Sequence, residues 1–158
     1  TIGNFSPPEA RALLRRMARQ LGPGARLIIG VDLRKSADIL VPAYDDAEGV
    51  TAAFNLNLMV RLRNELGASV DIDGFAHRAV WNARESRIEM HLVAKHPQTI
   101  VVAGHAFRFE AGETIHTENS CKYGREDFDD LARSAGWRPL DVHVDADNLF
   151  TVRVLEAR

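Results

Sequence analysis

The chain has 158 residues, 46% of them apolar and 27% charged, which is the make-up of a soluble globular protein with enough length for a core of ordinary size. A formal net charge of −2 provides no positive field for phosphate backbones or anionic lipid, so neither nucleic acid nor a membrane is an expected partner. Cys121 is the only cysteine, which excludes an internal disulfide and a cysteine-rich zinc knuckle, and no charged-then-apolar leader opens the chain, so a cytoplasmic location is expected.

The opening TIGNF lacks an initiator Met and reads like the end of a strand entering a loop, so a fragment is expected. Next, SPPEARALLRRMARQLGPG predicts a helix with Ser6 as N-cap, Pro7 at its first position and Glu9 completing a capping box. Leu13, Leu14, Met17 and Leu21 would form its apolar face, and Gly22-Pro23-Gly24 would stop it. RLIIGVDL is a nearly unbroken apolar run, which predicts a strand covered on both faces in a parallel sheet.

KSADILVPAYDD and GVTAAFNLNLMVRLRNELG follow as two helices, the second with Phe54, Leu58, Leu62 and Leu66 at steps of four. FAHRAVWN, SRIEMHLVAK, QTIVVAG and HAFRFEAGETIHTENS carry strand patterning, with turn signals at Asn82-Ala83-Arg84 and Gly104. REDFDDLARSAGW returns to helix, and RPLDVHVDADNLFTVRVLEA predicts a hairpin around residues 145–148. The order is that of an α/β protein in which residues 34–122 form an α+β insertion between residues 1–33 and 123–158.

In a strand over GETIHTENSCKY, His116, Glu118 and Ser120 share one side while Thr117, Asn119 and Cys121 share the other. Such a row either faces a ligand or lies on a solvated sheet face. His91, His96, His105, His116 and His143 are scattered, and no pair has the i,i+4 spacing of a zinc protease helix, so they read as surface residues and no metal is expected. GVTAAF is not a nucleophile elbow.

Four stretches carry a resemblance: TIGNF at the start, AYDDAEGVTAAFN at residues 43–55, ESRIEMHL at 85–92 and GETIHTENSCKY at 112–123. Together they resemble the histidine-specific S-adenosylmethionine-dependent methyltransferases, which trimethylate the α-amino group of L-histidine to hercynine in ergothioneine biosynthesis. The resemblance implies the C-terminal half of a class I, Rossmann-like methyltransferase sheet, with residues 34–122 as a substrate-recognition insertion. It implies that Glu118 and Ser120 face the substrate imidazole, that Asn4 holds the amino-acid backbone, and that the Tyr44 hydroxyl reaches the carboxylate. Phe54 and Met90 would be apolar walls and Thr51 a weaker polar contact. A neutral imidazole has one N–H donor and one acceptor nitrogen, which a carboxylate and a hydroxyl can address.

No G-x-G-x-x-G stretch is present in the chain. The cofactor S-adenosylmethionine would therefore be bound mainly by a missing N-terminal half, leaving this chain inactive alone. Its partners would be L-histidine and either that half or a second copy meeting an exposed sheet edge. The alternative expectation is an amino-acid-binding module without catalysis.

Overall fold

The computed structural model describes residues 2–158. It is a mixed α/β protein, as the element pattern predicts, and it divides into two compact units. The first comprises the stretch ending at Ser36 together with Asn82–Arg87 and Asn119–Arg158; the second comprises Ala37–Trp81 and Ile88–Glu118.

In the first unit a 3-10 turn over Ile2–Asn4 leads into α1, Pro7–Leu21. The opening is therefore a turn rather than a strand end, and Thr1 lies outside the described residues. The capping box forms: Glu9 Oε2 accepts from the Ser6 backbone N at 2.9 Å and from Ser6 Oγ at 2.6 Å. Ala10, Leu14 and Ala18 make the buried stripe of α1, while Leu21 stays exposed in the last turn.

The strand after the glycine turn is β1, Arg26–Asp32. It pairs antiparallel with β8, Phe150–Ala157, which pairs antiparallel with β7, Trp137–Val144. The expectation of a strand covered on both faces in a parallel sheet is corrected here. Among the described residues one face of β1 is uncovered, so Ile28 is 71% exposed, and beyond the strand's end Leu33 forms a parallel bridge with Tyr123. Long apolar runs need not be buried on both sides when the sheet has only one packed face.

α4, Asp127–Ser134, and α1 supply the packed side. Trp137 is fully buried there, and its Nε1 donates to the Leu14 carbonyl at 2.8 Å. Arg153, also buried, ion-pairs with Asp129, donates to the Arg125 carbonyl at 2.6 Å and lies over the Phe128 ring. At the β7–β8 turn Asp145 accepts from the backbone N–H groups of Leu149 and Phe150, which holds its carboxyl below the usual range.

The second unit contains α2, Ala37–Tyr44, and α3, Val50–Leu66. Its strands belong to a sheet ordered β2-β3-β6, formed by Phe75–Asn82, Arg87–Ala94 and Thr114–Cys121, and to a hairpin of β4, Gln98–Val102, with β5, His105–Phe109. The run from His105 to Ser120 is two strands rather than one. Gly112, at φ +87°, breaks it, and Glu113 accepts from the Glu110 backbone N at 2.8 Å in the same turn.

Met59, Phe75, Leu92, Ala94 and Ile100 form one core cluster, and Leu40, Ala79, Ile88 and Met90 form another. The buried row of α3 is Asn55 and Met59, whereas Phe54, Leu58 and Leu66 are exposed. The expected apolar face is thus rotated by one residue. Apolar residues line more than one side of α3, so spacing does not decide which side packs.

Candidate functional site

In the first unit the end of β6 meets the end of β1 at a buried charge. The Lys122 side chain has no exposure, and its Nζ donates to Asp32 Oδ2 at 2.5 Å and to Ser120 Oγ at 2.8 Å. Lys35 Nζ holds the other carboxylate oxygen of Asp32 at 2.6 Å. An ammonium without exposure persists only when paired and hydrogen-bonded in this way. Its donation to Ser120 Oγ fixes where that oxygen lies.

Gly3 backs onto the same place. A Cβ on it would stand 3.2 Å from the Cys121 carbonyl oxygen and 3.6 Å from Ser120 Oγ. The close approach brings the turn ending at Asn4 against the strand carrying Ser120. Burial pushes the Cys121 thiol up, away from the thiolate that reactive cysteines need. Tyr123 beside it is pushed up to about 12 by burial, and its hydroxyl is buried without a hydrogen-bond partner.

In the second unit Tyr44 ends α2 and packs against the cluster that contains Met90. The Tyr44 carbonyl sits 2.7 Å from His77 Nε2, and His77 Nδ1 lies 2.9 Å from Asn55 Nδ2. A carbonyl can only accept and an amide NH2 can only donate, so His77 carries its proton on Nε2. Asn55 Nδ2 also donates to the His91 carbonyl at 3.2 Å. These contacts tie α2 and α3 to β2 and β3.

Thr51 serves the start of α3. Asp46 accepts from the backbone N–H groups of Val50 and Thr51 at 2.9 and 2.8 Å. Its carboxyl is held down at about 2, chiefly by the Thr51 hydroxyl, then by those N–H groups. Phe54, one turn on, is 66% exposed.

On β3 Ile88, Met90, Leu92 and Ala94 face the core, and Glu89 and His91 take the opposite face. His116 of β6 stacks on His91, and by alternation Glu118 follows on the side of His116. Met90 and Glu118 therefore stand on opposite faces of the β3–β6 pair. Tyr44 is placed with Met90, and Asn4 with Ser120.

The sequence reading passed over Asp32, Lys122, His77, Asn55 and Glu89. Two of these left a signal: His77 occupies an inward position between Phe75 and Ala79, and Lys122 falls between Cys121 and Tyr123, both buried. A polar residue at an inward position predicts a satisfied network.

A family profile described as "Histidine-specific methyltransferase, SAM-dependent" matches residues 1–157. A histidine N-alpha-methyltransferase from Mycolicibacterium smegmatis is 45% identical over 140 residues, covering 87% of this chain and 44% of the relative. Ergothioneine biosynthesis protein 1 from Schizosaccharomyces pombe is 28% identical over 77% of this chain and 16% of its own length. The chain thus spans less than half the length of these curated relatives. Among solved structures, the CcbJ methyltransferase from Streptomyces caelestis superposes with a TM-score of 0.51 at 14% identity, over 99% of this chain and 57% of that one. That likeness concerns the fold alone.

Proposed function

Since this chain belongs to the histidine-specific, S-adenosylmethionine-dependent methyltransferase family, we propose that it contributes to Nα-methylation of L-histidine, the step that yields hercynine for ergothioneine biosynthesis. The observation that carries the reading is β6, where Glu118 and Ser120 alternate on one strand and Ser120 is anchored by a fully buried lysine. Glu118 would accept from the imidazole N–H and Ser120 would meet the other ring nitrogen. Asn4 would hold the amino-acid backbone, and the Tyr44 hydroxyl would bind the carboxylate. Phe54 would be an apolar wall and Thr51 a lesser polar contact, while Met90, buried on the face of β3 opposite Glu118, would support the pocket only from behind. These residues bind and orient; none is assigned a catalytic proton transfer. In-line methyl transfer to a neutral amine draws its acceleration mainly from such positioning.

Among the described residues no strand-to-helix passage has the make-up of a nucleotide-type loop. The two strand-to-helix passages, from β1 to α2 and from β6 to α4, contain between them only Gly124, whereas a nucleotide-type loop needs several glycines for close backbone approach. We infer that S-adenosylmethionine is bound mainly by polypeptide outside these residues, and that the chain alone transfers no methyl group. The same observation favours the second reading, an amino-acid-binding module without catalysis. The open edge of β1 would receive a second copy or another polypeptide segment.

The test has two parts. Calorimetry of the chain with L-histidine should show binding that Glu118→Ala weakens roughly ten- to a hundredfold, matching the ~1.5–3 kcal/mol of a charge-assisted hydrogen bond. Mass spectrometry of histidine incubated with S-adenosylmethionine and the chain alone should show no methylated product. Methylation by the isolated chain would refute the inferred dependence on other polypeptide, and unchanged binding by the variant would refute the role of Glu118.

A further inference from the structure

Glu89 and His91 alternate along β3, so their side chains leave one face of the sheet, and His116 meets them there from neighbouring β6. The His91 and His116 rings stack with centroids 4.7 Å apart and planes inclined by 28°. One ligand atom from each of the three side chains lies within 4.8 Å of the other two. His91 Nε2 and Glu89 Oε2 are 3.4 Å apart. A charge-assisted N–H···O bond spans about 2.7–2.9 Å. Two ligand atoms about 2.0–2.1 Å from a zinc ion at a tetrahedral angle stand roughly 3.3 Å apart. The contact has the span of a shared ion more than that of a shared proton.

The ring chemistry agrees. His116 Nε2 lies 3.2 Å from the Glu118 carbonyl, which can only accept, so the proton sits on Nε2 and the Nδ1 lone pair is left for a ligand. A backbone carbonyl on the second ring nitrogen is the usual support of a metal-ligating histidine.

We propose that Glu89, His91 and His116 bind one divalent first-row transition ion of the zinc or nickel type. Two imidazoles and a carboxylate suit such borderline ions and not magnesium or calcium, which take oxygen ligands. Three protein ligands leave at least one coordination position for water or a small molecule. The nearby Arg78 charge opposes the ion, and Glu89 offsets it. A ring binds metal in its own plane, so the stack must open as His116, the exposed member, turns toward the ion. The proposal does not depend on the methyl-transfer reading.

The test uses the tag-free chain, stripped with chelator and titrated with zinc and then nickel by calorimetry, with histidine ring signals followed by NMR during the zinc titration. One ion per chain is expected, shifting the rings of His91 and His116 while those of His105 and His143 stay in place. His116→Ala should weaken binding on the order of tenfold or more, and Glu89→Gln should weaken it too, with circular dichroism unchanged. His105→Ala should change nothing. Absence of binding, diffuse binding that moves all histidines, or undiminished affinity in both His116→Ala and Glu89→Gln would overturn the site.

Discussion

Asp46 shows how one half-buried carboxylate can organise a helix start. Gly49 precedes α3 with a left-handed backbone and no side chain to cap it, so the first N–H groups of the helix turn to Asp46 instead. Because its folded pKa is depressed from 3.8 to about 2, its contribution is present above the ordinary value and is lost as pH falls through the folded one. Asp46→Asn should lower the thermal midpoint at neutral pH and flatten its fall between those two values; an unchanged acid limb would show that the carboxylate is not linked to folding. Asn55 makes a different case, since its partners are inside. Asn55→Ala strips a donor from buried His77 Nδ1 and should cost about 1–3 kcal/mol in urea unfolding. An unchanged urea midpoint in Asn55→Ala would contradict that account.

At the scale of elements, Trp137 joins β7 to α1 both by fully buried area and by its indole N–H on the Leu14 carbonyl. Trp137→Ala should therefore cost about 3–5 kcal/mol, read as a lower denaturant midpoint at unchanged slope, with Trp137→Phe between it and the native chain. Much at this scale was legible in the sequence because the signals were local. The capping box of Ser6 and Glu9, the hairpin around Asp145 and the alternation of β2 all depend on neighbours in the chain. What failed depended on partners distant in sequence. The apolar run of β1 could not reveal that its strand neighbour among the described residues, β8, lies more than a hundred residues further along the chain and leaves Ile28 open. The row Phe54–Leu58–Leu62–Leu66 could not reveal that α3 buries Asn55 and Met59, because His77 and the His91 carbonyl, which justify an inward Asn, lie on other elements. Of the proposed site, what was legible was the strand, β6, from the alternation in GETIHTENSCKY. Lys122, Asp32 and Glu89 were not, because a charged residue announces its partner only once the strands are side by side.

For the whole molecule, the three-stranded sheet leaves β1 as an edge strand whose outer backbone groups pair with no strand of that sheet among the described residues. Its register places Ile28 opposite Val154, Gly30 opposite Val152 and Asp32 opposite Phe150, so Ile28, Phe150, Val152 and Val154 share one face. Ile28, Phe150 and Val152 are 71, 43 and 37% exposed. An edge combining unpaired N–H and C=O groups with a contiguous apolar face is a template for another strand, and soluble proteins ordinarily blunt it with charge or a bulge. No inward charge blunts β1 between Leu27 and Val31. The isolated chain should therefore self-associate with rising concentration, by pairing of β1 edges in two copies. Ile28→Lys, at an exposed edge position that tolerates a charge, should return it to a monomer in light scattering with the fold intact by circular dichroism. The native chain should meanwhile show slower amide exchange over residues 27–31 at high concentration than at low. A monomer at every concentration, or association that Ile28→Lys leaves unaltered, would mean that this edge is not where copies meet.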